Sequence, residues 1–158
     1  MDIRLVAEDF TFKLRGSGVI INDNKILMVS MDDSDFLALP GGYIELGEDS
    51  SSGLVRELRE EVRMEFNIIK YLGVIENFFI NKYNNKMHEI AFYYLVTPSG
   101  EIPSEDFTYV ENDKGHTVKL DFKWINIDDI DNYNIKPPVL KQLLKSKQDF
   151  NHLLVKEI

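Results

Sequence analysis

Apolar and polar residues alternate with a strand-like period through much of the chain and shift once to a clear helical period. Val19–Ile21 and Lys25–Met31 are β-rich runs around Asn22-Asp23-Asn24, which predicts a hairpin. The polar loop Asp32-Asp33-Ser34-Asp35 leads to a short strand over Phe36–Leu39, and Pro40-Gly41-Gly42 then forces a turn. From Ser50 to Phe66, Leu54, Val55, Leu58, Val62 and Phe66 form one apolar stripe at helical spacing. Three serines at its start offer N-cap oxygens. Ile68–Ile80 and Met87–Thr97 read as long strands joined by a polar turn over Asn81–Lys86. Pro98–Lys114 is loop-like, Val118–Ile127 is another strand, and Pro137-Pro138 opens a C-terminal helix through about Lys147. Strands mixed with two well-separated helices predict an α/β or α+β sandwich. No repeat, low-complexity tract or linker divides the chain, so one domain over residues 1–158 is expected.

Composition narrows the chemistry. The 158 residues hold 18 Lys+Arg against 27 Asp+Glu, a net charge of −9, and 44% are apolar, enough for a real core. The acid surplus opposes a general grip on nucleic-acid phosphates or an anionic membrane. It leaves a small phosphorylated ligand open, because bound cations mediate between acid and phosphate. Without cysteine there are no disulfides, thiol nucleophiles or Cys-based metal sites. The longest strongly apolar stretch, Ile90–Val96, falls far short of the roughly 18–20 residues of a membrane span. Asp2, Arg4, Glu8 and Asp9 interrupt any signal-peptide core, so a cytoplasmic protein is expected.

The informative segment is Gly42–Met64. At about 100° per residue, Glu57, Glu60 and Glu61 share one helix face, while Arg56, Arg59 and Arg63 share another. Like charges four residues apart destabilise a helix, so the glutamates need compensation. Arginine counterions on a solvated face would supply it, and so would a divalent cation such as Mg²⁺, which prefers carboxylate oxygens. Residues 45–65 carry a net −4, so much of the acid surplus is concentrated here.

The spacing decides between the two. Gly42, five residues, Glu48, seven residues, then Arg56-Glu57-Leu58-Arg59-Glu60-Glu61-Val62-Arg63-Met64 resembles the Nudix box of the Nudix hydrolases at eight of its nine defined positions. Leu39-Pro40-Gly41-Gly42 and Tyr43–Gly47 also resemble the family's approach to the box. The departure is Arg63, where the family has glycine. Glycine permits a left-handed helix exit that costs arginine about 1–2 kcal/mol, so the helix is expected to run on to near Asn67.

The resemblance implies an α/β/α sandwich with a central mixed sheet and hydrolysis of a nucleoside diphosphate linked to another group X. Mg²⁺ or Mn²⁺ would be the cofactor. Carried over residue by residue, Glu57, Glu60 and Glu61 are metal-facing, with the Gly42 carbonyl beside them. Glu48, Arg56, Glu57 and Glu60 make up the catalytic set, with Glu48 and Arg56 holding loop and helix in register, and the general base is one of the box glutamates or a loop carboxylate. An acidic ligand from outside the box is expected, Glu89 first, with Asp121 and Glu111 as alternatives. The substrate would be a small nucleotide rather than a long nucleic acid or a membrane, and a homodimer accords with the family's habit.

Other signals carry less. Arg15-Gly16-Ser17-Gly18 lacks the dinucleotide fingerprint, and His88-Glu89 lacks the second histidine of a zincin. A non-catalytic, nucleotide-sensing Nudix domain that regulates a partner is the competing reading; retention of all four box glutamates favours the enzyme. An isomerase or RNA-cap hydrolase on the same fold is opposed by the absence of cysteine and of a basic cluster.

Overall fold

In the computed structural model, which describes residues 1–113 and 115–158, two sheets lie between a helix on one side and a helix with a 3-10 turn on the other. The larger sheet runs β1 (Arg4–Val6), β2 (Phe10–Val19), β7 (Lys86–Pro98), β6 (Phe66–Ile80) and β10 (Asn151–Lys156), with β5 (Gly41–Tyr43) also paired to β2. The smaller sheet runs β3 (Ile21–Asn22), β4 (Lys25–Met31), β9 (His116–Asn126) and β8 (Phe107–Asp113). Pairs β2–β7 and β6–β10 are parallel and the others antiparallel, so the central sheet is mixed as expected.

Two apolar cores fill the layers. Helix α1 (Ser50–Glu61) buries Leu54 and Leu58 against Leu27, Val29, Val96 and Phe122. On the opposite face, helix α2 (Leu140–Ser146) and the 3-10 turn Ile127–Asn132 pack over Met28, Ile75, Ala91 and Tyr93. Gly16 explains how α1 comes so close to β2: a Cβ there would lie 3.1 Å from that of Leu54. The Arg15–Gly18 motif is therefore a packing floor for the helix.

Several expectations are corrected. Helix α1 is capped by Asp49 rather than by a serine. The Asp49 carboxylate accepts the Ser52 N–H at 2.8 Å and the Ser51 and Ser52 hydroxyls at 2.7 and 2.8 Å. These three donors hold its pKa down at about 2. Phe36–Leu39 forms only single bridges through Leu37 and Ala38, not a strand. The expected loop Pro98–Lys114 contains β8, with Lys114 outside the described residues, and α2 begins at Leu140, two residues beyond the proline pair. Strands β1, β2 and β10 are elements beyond those that the sequence pattern predicts.

The largest correction is at Arg63. The helix stops at Glu61, Val62 N–H closes its last turn onto Leu58 O at 2.8 Å, and Arg63 takes the left-handed conformation with φ of 63°. What offsets the backbone cost is on β8. The guanidinium lies 4.3 Å from the Tyr109 ring centroid and donates to Val110 O at 2.7 Å. Arg63→Ala keeps the strained backbone and loses both contacts, so urea unfolding should show a loss of about 1–2 kcal/mol. Arg63→Gly relieves the strain and should fall within about 1 kcal/mol of wild type. An equal loss in both variants would contradict this compensation.

Candidate active site

The helix and the Pro40–Tyr43 turn bring the box residues together. Arg56 is the hub. Its Nε and Nη2 form a two-pronged bond to Glu48 at 2.6 and 3.0 Å, and Nη2 also donates to Tyr43 O at 2.9 Å. Its Nη1 donates to Glu57 at 2.9 Å and reaches Glu60 at 3.4 Å. The clamp is completed by Glu45 N–H, which donates to Glu48 at 2.9 Å. Arg56 holds the Glu48 carboxyl below its usual range, and Glu48 in turn raises the guanidinium. Loop and helix are thus fixed in register by charged hydrogen bonds.

The three glutamates occupy graded environments. Glu60 is 53% exposed. Glu57 is half-buried, and burial pushes its pKa up against the opposing pull of Arg56. Glu61 is 8% exposed, and its carboxyl is pushed up to about 8, chiefly by burial. Arg15 and a long 3.4 Å bond from Gly41 N–H only partly oppose that rise. The turn is built to fit them. A Cβ on Gly42 would lie 2.2 Å from a Glu57 carboxylate oxygen, so the main chain lies against that carboxylate as only glycine allows.

The donor set suits a hard divalent cation, being carboxylate oxygens on one helix face, one of them buried with little compensation. Among the described residues no three acidic or histidine side chains are yet gathered as a cage. The hydrogen bonds give the reason: Arg56 draws Glu57 and Glu60 toward itself, while Glu61 turns inward to Gly41.

The candidates outside the box separate. Glu89 is buried on β7 and pairs with Lys13 of β2 at 2.8 Å, so its carboxylate has a cationic partner. Asp121 accepts from the Thr108 hydroxyl at 2.7 Å and pairs with Lys119. Glu111 on β8 lies within electrostatic reach of Glu61 and adds to its raised pKa. Glu111 is therefore tied to a box glutamate. Sequence reasoning missed Arg15, which donates to Leu39 O at 2.9 Å and acts electrostatically on Glu57 and Glu61. Its signal was Lys13 and Arg15 at strand spacing, just before Gly16. A cavity of about 460 Å³ lined by Ser30, Asp35, Phe36, Thr108, Asp121 and Tyr133 opens beside β8.

Residues 13–145 match the NUDIX domain, and the chain belongs to that family. It is 40% identical over 60 residues to an ADP-ribose pyrophosphatase of Methanocaldococcus jannaschii, a match covering 36% of this chain and 36% of that protein. It is 26% identical over 125 residues to an 8-oxo-dGTP diphosphatase of Buchnera aphidicola subsp. Schizaphis graminum, covering 77% of this chain and 82% of the relative. A crystal structure of an ADP-ribose pyrophosphatase from Streptococcus suis superposes with a TM-score of 0.60 at 16% identity, over 91% of this chain and 98% of that one. At that identity the likeness establishes the fold. The match to the archaeal relative spans about a third of its length. Among the described residues no helix is long and apolar enough to cross a membrane.

Proposed function

We propose that this chain, as one domain over residues 1–158, is a Mg²⁺- or Mn²⁺-dependent hydrolase of the diphosphate linkage in small nucleotides. The observation that carries the reading is the set Glu57, Glu60 and Glu61 on one helix face, seated against Gly41-Gly42 and held by the Glu48–Arg56 clamp. Family membership supports it, as do relatives named for ADP-ribose and 8-oxo-dGTP. We assign the metal to Glu57, Glu60 and Glu61 with the Gly42 carbonyl beside them. Such an ion, when bound, neutralises the diphosphate and acidifies a coordinated water.

The chain's own groups have distinct tasks. Glu48 and Arg56 fix the loop so that the carboxylates meet the diphosphate in one orientation, which is positioning rather than chemistry. Arg15, near Glu57 and Glu61, adds positive charge where phosphate oxygens collect. Glu60, more than half exposed, has room to take the proton of the attacking water. Long nucleic acids are disfavoured by the net charge of −9, and a cytoplasmic location accords with a small-nucleotide substrate.

The test is a panel of ADP-ribose, nucleotide sugars, dinucleoside polyphosphates and oxidised nucleoside triphosphates, with Mg²⁺ or Mn²⁺. Released mononucleotide and phosphate are the readout. At least one compound should be cleaved at its anhydride, with the activity lost in chelator and in Glu60→Gln. Nucleotide binding without cleavage under either metal would overturn the hydrolase in favour of a nucleotide-sensing domain.

A further inference from the structure

Alternation along β2 places Thr11, Lys13, Arg15 and Ser17 on the face opposite to Gly16, the residue that floors α1. Strand register sets Lys13 beside Glu89 of β7, and Glu89 beside Asn77 of β6, with Thr11, Met87 and Phe79 forming the next row. A sheet face this deeply covered is ordinarily apolar. Yet Thr11, Ser17, Asn77 and Glu89 are four of the six buried polar side chains among the described residues, each at most 6% exposed. On the same face Ile75, Ala91 and Tyr93 join the apolar core, so the row Lys13–Glu89–Asn77 is a local departure from it.

Stability does not account for that row. Burying an ion pair returns about what it costs, and a buried acceptor left alone is a net loss. Lys13 Nζ lies 2.8 Å from Glu89 Oε2 and 5.5 Å from the centre of the Phe79 ring. That pair engages one of the two carboxylate oxygens. Asn77 Oδ1 is buried with no hydrogen-bond partner, so the row holds more acceptors than donors to meet them. Lys13, Arg15 and Phe79 are half-buried, which leaves one side of the row open to solvent. Arg15, beside the box glutamates, stands two residues from Lys13 on this face, about 7 Å at about 3.3 Å per residue. One small molecule therefore reaches both. The pair sums to zero charge, which favours an uncharged group over a further phosphate, and Phe79 offers that group a flat apolar surface.

We propose that this row binds the uncharged ring at one end of the substrate, a base or a sugar whose N–H or O–H groups donate to Glu89 while Phe79 packs against its face. Glu89 is the specificity-determining residue, and Lys13 holds its carboxylate in place. The proposal rests on the hydrolase reading for the kind of molecule bound, but ring binding is measured without turnover.

Calorimetric titration in Ca²⁺ tests it, with AMP, GMP and UMP set against ribose 5-phosphate and glucose 1-phosphate, and inorganic phosphate as the ringless control. At least one ring compound should bind wild type at least tenfold more tightly than inorganic phosphate, and Glu89→Gln should abolish that advantage. The double variant Lys13→Met, Glu89→Leu removes the pair without leaving a lone buried charge, so it should fold with unchanged circular dichroism and lose the same advantage. Mn²⁺ affinity should stay at the wild-type value in both, which separates this row from the α1 carboxylates. A Glu89-dependent advantage of nucleoside monophosphates over ribose 5-phosphate names the ring a base; an equal or larger one for the sugar phosphates names it a sugar. No ring advantage in wild type, an advantage surviving both variants, or a tenfold loss of Mn²⁺ affinity in Glu89→Gln would overturn the proposal. A wild type that binds the ring yet cleaves nothing on the substrate panel would overturn the hydrolase reading alone.

Discussion

Glu61→Gln will lower metal-dependent turnover by about 10³-fold and at the same time raise the melting temperature of the chelated protein. The first effect follows if a metal supplies several kcal/mol of transition-state stabilisation, at 1.36 kcal/mol per tenfold. The second follows from burial. Glu61 is 8% exposed, and its carboxyl is pushed up to about 8 from 4.5, so the folded state disfavours its charged form. For an acid raised in this direction the penalty is absent below the unfolded value near 4.5. It grows as pH rises and is complete above the folded value near 8. Glutamine removes it, so the gain should be negligible at pH 4 and about 1–3 kcal/mol at pH 8, or roughly 2–10 °C. Melting curves in chelator at the two pH values check this. A variant destabilised at both would mean that Glu61 is a structural acid with partners of its own.

Gly42→Ala will be nearly as damaging for a steric reason. Gly42 is not among the residues with positive φ, so alanine fits its backbone, and the entire effect comes from the added Cβ. That atom would lie 2.2 Å from a carboxylate oxygen of Glu57 and 2.5 Å from its Cδ. Glu57 must swing away and give up its 2.9 Å bond to Arg56. Turnover should fall about 10²-fold, the metal concentration for half-maximal rate should rise, and stability should drop by about 1–3 kcal/mol. Adding Glu57→Ala removes the clash, so the double variant should recover the stability and none of the activity. Recovery of neither would place the damage elsewhere in the turn.

The helix, the β6–β7 pair, the hairpin around Asp23-Asn24 and the sandwich were legible because each rests on local periodicity. The box residues were legible because their spacing is a signature. Apart from the helix cap, what was not legible depends on partners distant in sequence. Asp49 outcompeted three serines as cap because its carboxylate can accept from all of its donors at once. Strand β8 was hidden among the polar residues of the 98–114 stretch, and with it the Tyr109–Val110 contact. At Arg63 the backbone cost alone points to a longer helix. The compensation comes from residues 46 and 47 positions downstream, which no helix-local argument contains. Glu89 shows the same dependence: strand register puts Lys13 opposite this candidate ligand, a partner that no local pattern reveals.

Lys13 and Arg15 stand on the same face of β2, and they serve different acids. Lys13 satisfies Glu89, whereas Arg15 acts on Glu57 and Glu61 without fully compensating the latter. The unmet demand for positive charge is thus concentrated at the helix face that carries the box.

A direct Mn²⁺ titration, read by electron paramagnetic resonance of the free ion, tests the central claim without needing the substrate. Wild type should bind Mn²⁺ saturably. Binding should weaken at least tenfold in Glu61→Gln and in Gly42→Ala, both with unchanged circular dichroism. Wild-type affinity in both variants would contradict the assignment of the α1 carboxylates as the metal site.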